Sequence, residues 1–133
     1  MTVFESKAII NKPCAEVYTF LADLNNHQQL MPENVYNWSS TKDEAWFTIQ
    51  NMAKLALKVS NRIEDSTIII VPAEEVPFNL ELRWVISDNN DSSSTAVLTI
   101  LVDLNMMMKM LASGPLQKLT DHQTEQLKQI HNS

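Results

Sequence analysis

The chain has 133 residues, of which 44% are hydrophobic, and its formal net charge is -6. This length suits one domain with its own core, and the apolar content argues against wholesale disorder. The acidic balance and the ten scattered Lys and Arg residues argue against binding to nucleic acid or anionic lipid. No apolar run approaches the roughly 18 residues of a membrane helix, so stable membrane insertion is not expected.

Cys14 is the only cysteine, so no intramolecular disulfide can form. A lone cysteine fits a reducing compartment, and the first residues lack a signal-peptide pattern, so we expect a cytoplasmic protein. Cys14 follows Pro13 at a predicted helix start, where a thiol can become a nucleophile. A buried structural cysteine explains it better, because no partner stands at a recognisable spacing.

The first third of the chain predicts one strand and two short helices. Residues 3–11 alternate as a strand, with one face formed by Phe4, Ser6, Ala8 and Ile10. Pro13 suits a first helical turn, because its missing N–H costs nothing there. The apolar stripe of that helix is Val17, Phe20, Leu21 and Leu24. A second helix is predicted near 26–31.

Six strands are predicted next, at 34–40, 44–51, 54–64, 67–72, 78–87 and 94–104. The segments between them are short and polar, which favours antiparallel hairpins. The chain has a single glycine, Gly114, so its turns must use Asn, Asp and Ser. The same scarcity excludes glycine-rich phosphate loops.

A long helix is predicted over 106–130. Its apolar stripe is Leu116, Leu119, Leu127 and Ile130, with Ala112 and Gln123 on the same line. Pro115 removes one helical hydrogen bond and is predicted to kink the helix or split it in two.

This order of elements, over one domain spanning 1–133, resembles the START/Bet v 1-like superfamily. The likeness lies in residues 9–13 leading into 16–23, in Leu30-Met31-Pro32, and in 104–106 through 114–116. It implies the α+β helix-grip fold, in which about seven antiparallel strands form a curved sheet around a long C-terminal helix. Members of the superfamily bind lipids, sterols, quinones or polyketides, and some are cyclases, dehydratases or protein-binding modules.

A curved sheet and a straight helix do not match in shape, so we expect a cavity between them. The predicted ligand-binding residues are Trp38, Phe47, Ile49, Leu57, Phe78, Leu80, Leu82, Trp84, Met107, Met110, Leu111 and Gln123. Methionine adapts to irregular apolar shapes, which suits a loosely specified ligand. Core packing alone also explains the apolar members. Gln123, and Asn61 if its strand alternates, are interpreted as buried amides that contact a ligand or bond to backbone.

No catalytic residue, metal site or cofactor is predicted. His27, His122 and His131 lack metal-ligand spacing, and His27 is interpreted as a surface partner of Asp23. Glu74-Glu75 and Asp103 are interpreted as solvated charges.

The favoured function is binding or transport of a small hydrophobic or aromatic ligand. A cyclase or dehydratase and a cochaperone-like interaction module are the alternatives. Whether the protein is a monomer or a homodimer stays open.

Overall fold

The computed structural model describes residues 2–75 and 79–132. Its elements are β1 (Thr2–Ile10), helix α1 (Cys14–Leu21), a 3-10 helix η1 (Leu24–Leu30), β2 (Val35–Ser40), β3 (Glu44–Ile49), β4 (Ala53–Ile63), β5 (Thr67–Pro72), β6 (Leu80–Asp88), β7 (Ser94–Val102) and helix α2 (Met106–Asn132). The predicted α+β helix-grip architecture is confirmed: a curled antiparallel sheet faces a long C-terminal helix, with two short helices after the first strand.

The seven strands form one sheet in the order β1-β7-β6-β5-β4-β3-β2. Strands β2 to β7 follow one another as hairpins, and β1 pairs with β7. The two ends of the sheet are therefore β1 and β2, and α1 with η1 carries the chain from one edge to the other.

Alternation of side chains defines the inner face of the sheet. In β7 every second residue from Ser94 to Val102 is buried, and in β6 the buried residues are Leu82, Trp84 and Ile86. Each large apolar side chain removed from water contributes about 1.5–3 kcal/mol. The alternation predicted for residues 80–87 is confirmed, whereas its first member, Phe78, lies outside the described residues.

A β-bulge interrupts the alternation of β4. The pairing with β5 shifts between Val59 and Asn61, and Asn61 is exposed. The prediction that Asn61 lies among inward residues is therefore wrong, because the extra residue of a bulge reverses the faces that follow it.

The turns use the residues that the glycine-poor sequence demands. Positive φ angles occur in the turns at Asn51, Asp65, Asn90 and Ser92, and inside β2 at Asn37, where the pairing with β3 shifts its register. Asn and Asp tolerate this left-handed conformation because their short polar side chains bond locally.

Helix α2 runs unbroken from Met106 to Asn132, with Pro115 inside it. The predicted split into two pieces is wrong. Pro115 and Gly114 are both exposed, so the lost helical bond lies where solvent is available.

The C-terminal half of α2 is fixed to β1. The hydroxyls of Ser6 and Thr124 are 2.6 Å apart, and Asn132 accepts a 2.8 Å hydrogen bond from the Asn11 backbone N–H. Leu127 between them is fully buried. The sheet contacts of α2 are made mainly with β1 and β7, at one side of the concave face.

His27 holds η1 against the end of α1. Its ring is buried, and its Nε2–H donates to the Leu21 carbonyl oxygen at 2.8 Å. The prediction of a surface pair with Asp23 is wrong, because the ring points into the core. Burial lowers the pKa of His27 below its usual value, although the bond to Leu21 and the charge of Asp23 oppose that shift.

The left-handed turn at Asp65 is open to test by substitution. Asp65 has a φ of 59° and is exposed. Asp65→Ala is expected to lower the free energy of unfolding by about 1 kcal/mol, because a Cβ is strained in this conformation. Asp65→Gly should lose little or nothing. Urea unfolding of both variants measures the difference, and equal losses would contradict the assignment.

The buried His27 predicts loss of stability in mild acid. Its folded-state pKa is below that of the unfolded chain, so the unfolded chain binds more protons once the pH falls below about 6.5. Stability should be complete above that pH and decline as the pH falls toward the lowered folded pKa. His27→Gln keeps an N–H donor but cannot titrate, so its urea midpoint should decline less between about pH 7 and 5. Parallel declines for both proteins would rule out this role.

Candidate functional site

A cavity of about 250 Å³ lies between α2 and the inner face of the sheet. It exists because α2 packs on β1 and β7, while the sheet curls onward through β6, β5, β4 and β3. Apolar side chains of β6, β4 and β3 line the space beside the helix. The shape mismatch predicted from the sequence is therefore realised as an open space.

The cavity wall is almost wholly apolar. Its lining residues are Met31, Phe47, Ile49, Asn51, Met52, Leu55, Leu57, Leu80, Leu82, Ile100, Val102, Leu104, Met108, Leu111, Ala112, Leu116, Leu119 and Gln123. Only Asn51 and Gln123 in this set carry polar side chains. Such a wall excludes water well and favours an apolar occupant.

The mouth of the cavity lies between the β3–β4 turn and the start of α2. Asn51 and Met52 in that turn are exposed, as are Met108 and Leu111 on the helix. Gln123 lies twelve positions beyond Leu111, about 18 Å further along the helix axis, and is only 1% exposed. The cavity thus runs along α2 from an open, methionine-rich end to a closed end.

Seven of the residues predicted to bind a ligand line this cavity. They are Phe47, Ile49, Leu57, Leu80, Leu82, Leu111 and Gln123. The structure brings them together from three strands, β3, β4 and β6, and from helix α2. Their contact with a ligand stays a prediction.

Two predicted tryptophans do not line the cavity. Trp38 stacks on the wall residue Phe47, with ring centroids 5.0 Å apart, and donates from Nε1 to the Ser40 hydroxyl at 2.9 Å. Trp84 is fully buried in the core, and its indole N–H has no partner within residues 2–75 and 79–132. Phe78, also predicted, lies outside the described residues.

Met107 and Met110 are placed on the solvent side of α2, at 73% and 84% exposure. Their prediction as wall residues does not match this placement. Ala112, Leu116 and Gln123 fix which side of the helix faces the sheet. Met108 lies four positions before Ala112 and therefore on the same side of the helix, and it does line the cavity.

Several wall residues were not predicted from the sequence, although the sequence pattern places some of them on the inner face of the sheet. Ile100 and Val102 follow from the alternation of β7, and Leu55 follows from its spacing to Leu57. Asn51 and Met52 lie in a turn, and no periodicity could have assigned them to the cavity.

Gln123 is the chemically unusual residue of the wall. Both its amide oxygen and its amide nitrogen are buried without a hydrogen-bond partner among the described residues. An unpaired buried amide costs about 1–3 kcal/mol. By contrast, the neighbouring buried hydroxyls of Thr120 and Thr124 are bonded, to the Leu116 carbonyl and to Ser6.

Among residues 2–75 and 79–132, no titratable side chain is part of this wall. Cys14 at the start of α1 does not line the cavity, and burial together with the charges of Asp88 and Asp65 raises the pKa of its thiol. A raised pKa opposes a nucleophilic role. His131 contacts Phe20 edge-on and bonds to the Leu127 carbonyl.

Within residues 2–75 and 79–132, no three His, Cys, Asp or Glu side chains are grouped to hold a metal ion. None of the helices there is long and apolar enough to cross a bilayer.

No family model and no curated protein match the sequence. Solved structures do match over the whole length. XoxI from Bacillus cereus is 9% identical with a TM-score of 0.79, covering 100% of this chain and 97% of the other. A START superfamily protein from Mycobacterium smegmatis is 15% identical with a TM-score of 0.65, covering 96% and 98%.

The di-domain ARO/CYC BexL of the BE-7585A biosynthetic pathway is 11% identical with a TM-score of 0.67, covering 100% of this chain and 48% of that one. At these identities the likeness establishes the fold alone. The resemblance noted in the sequence is thereby confirmed at that level: the chain has the START/Bet v 1-like helix-grip fold.

Proposed function

We propose that this protein binds a small hydrophobic molecule in the cavity between α2 and the sheet. The observation that carries the proposal is a wall whose described side chains are apolar except for Asn51 and Gln123. Removing an apolar ligand from water gains about 25 cal/mol per Å² of buried surface, and a preformed cavity avoids much of the ordering cost. A lipid or a polyketide-like molecule is the class we expect.

The mouth supports the same proposal. Its exposed side chains include Met52, Met108 and Leu111. Flexible methionines can move aside for a ligand at little energetic cost. The START and ARO/CYC neighbours supply an analogy of fold for such a use, without identifying a ligand.

A cyclase or dehydratase activity receives less support. General acid–base catalysis needs a titratable group within hydrogen-bond reach of the substrate. No Asp, Glu, His, Lys, Tyr or Cys is among the wall residues within the described ranges. A binding role uses the apolar wall directly and needs no such group.

A protein-interaction role is the second candidate, favoured by the outer side of the α2 start. Met106, Met107 and Met110 are each more than two-thirds exposed, and Leu111 is 74% exposed. Contiguous apolar surface of this kind is typical of contact sites.

Filling the cavity is expected to abolish binding without unfolding the protein. Leu119 is a half-buried wall residue, so Leu119→Trp adds an aromatic ring to the cavity at an accessible position. Affinity for a neutral apolar fluorescent dye should fall by at least about tenfold. Equilibrium dye titration measures it, with circular dichroism to establish that the variant is folded.

Lys118→Trp is the matched control. Lys118 is adjacent, exposed and absent from the wall, so the same new side chain should leave dye affinity unchanged. If the wild-type protein takes up no dye and repeated native mass spectra show no co-purified mass, the binding function is wrong. Equal affinities of the two variants would place the dye elsewhere.

The interaction role is tested by Met107→Asp. This residue is exposed and outside the wall, so the substitution should leave dye binding intact. Under the second candidate, a partner recovered at fixed stoichiometry with the wild-type protein is lost with the variant. Recovery of the same partner by both proteins would contradict that candidate.

A further inference from the structure

We propose that the cavity selects a neutral, elongated molecule whose head group carries a hydrogen-bond donor and an acceptor side by side. Gln123 holds this head group at the closed end of the cavity, and the apolar tail points toward the mouth. The proposal rests on the binding function proposed above and specifies the class of ligand.

The Gln123 amide is an unpaired polar group in the cavity wall. Its side chain lines the cavity and is 1% exposed, and neither polar atom has a partner in the described part of the chain. The amide offers one acceptor oxygen and two N–H donors. A group that pairs with both ends presents a donor beside an acceptor, as a primary amide, a lactam or a hydroxy-ketone does.

The described wall of the cavity offers no counter-charge to an ionised ligand. Among the described residues, the wall contains no Lys, Arg or His, and no Asp or Glu. Bringing a carboxylate or an ammonium group into such a site removes its hydration without supplying an opposite charge. The cavity therefore rejects ionised fatty acids and amines and accepts neutral head groups.

The position of Gln123 determines the orientation of a bound ligand. Gln123 lies at the closed end, about 18 Å along α2 from Leu111, and the exposed wall residues Met52 and Met108 lie at the mouth. A ligand paired with Gln123 has entered with its polar end first. Its tail then lies along the leucines of the wall and ends at the methionines.

Three probes with the same alkyl chain separate these requirements. Decanamide carries a donor and an acceptor, methyl decanoate carries acceptors only, and decanoate is charged at about pH 7. We expect the wild-type protein to bind decanamide about tenfold more tightly than methyl decanoate, and decanoate more weakly still. Isothermal titration calorimetry measures all three affinities.

Gln123→Met tests the residue itself, since methionine has a similar length and no amide. The preference for decanamide over methyl decanoate should disappear in this variant. Its melting temperature should not fall, because an unpaired buried amide has been removed. Gln123→Leu is a second variant of the same kind. Gln126→Met is the matched control, because Gln126 lies on the same helix outside the wall and should keep the wild-type preference.

The outcomes separate the two proposals. Equal wild-type affinities for decanamide and methyl decanoate, or a preference that survives in both Gln123 variants, would overturn the role of Gln123. Tighter binding of decanoate than of decanamide would overturn the requirement for neutrality. In each of these cases the binding function stands. If the wild-type protein binds none of the three probes and no apolar dye, the binding function itself fails.

Discussion

The attachment of the C-terminal half of α2 to β1 determines where everything else lies. Thr124 bonds to Ser6, Asn132 bonds to the backbone beyond β1, and Leu127 is fully buried between them. A straight helix fixed at one side of a curled sheet cannot also touch the opposite side. The space above β3 and β4 is thus a geometric consequence of where the helix is held. The inward-facing side chains of those strands form part of its wall.

The same attachment sets which side of the helix start faces the cavity. Because an α-helix advances by 100° per residue, the buried Leu116 and Gln123 dictate that Met108 faces inward and Met107 faces solvent. Met106, Met107 and Met110 are largely exposed, so the first turns of α2 face solvent on their outer side. Local openings of a protein concentrate where few buried contacts are made. The mouth lies at this less buried end, and the closed end lies where the helix is anchored.

Much of the fold could be predicted because its signals are periodic. Alternation around Trp84 identified an inward strand face, and the stripe of α2 identified a buried helix side. The errors occurred where tertiary structure changes the period or the phase. A bulge turned Asn61 outward, and the phase of the α2 start was assigned one residue away from Met108. His27 gave no periodic signal, because a 3-10 turn places its ring against the Leu21 carbonyl. The residues of the cavity that come from turns, such as Met52, depend on the curl of the sheet and not on local sequence.

The stability cost of the site is an argument for its use. A protein interior is normally close-packed and its buried polar groups are bonded, and the second rule holds for Thr120 and Thr124 on the same helix. At Gln123 the chain departs from both rules at once, because an unpaired amide faces an open apolar space. A leucine at this position would remove the unpaired polar atoms and lengthen the apolar stripe that already contains Leu116 and Leu127. Residues that break the usual rules of packing and hydrogen bonding without stabilising the fold are expected at functional sites. This departure supports the proposal that the amide is half of a hydrogen-bonding pair whose other half a ligand supplies.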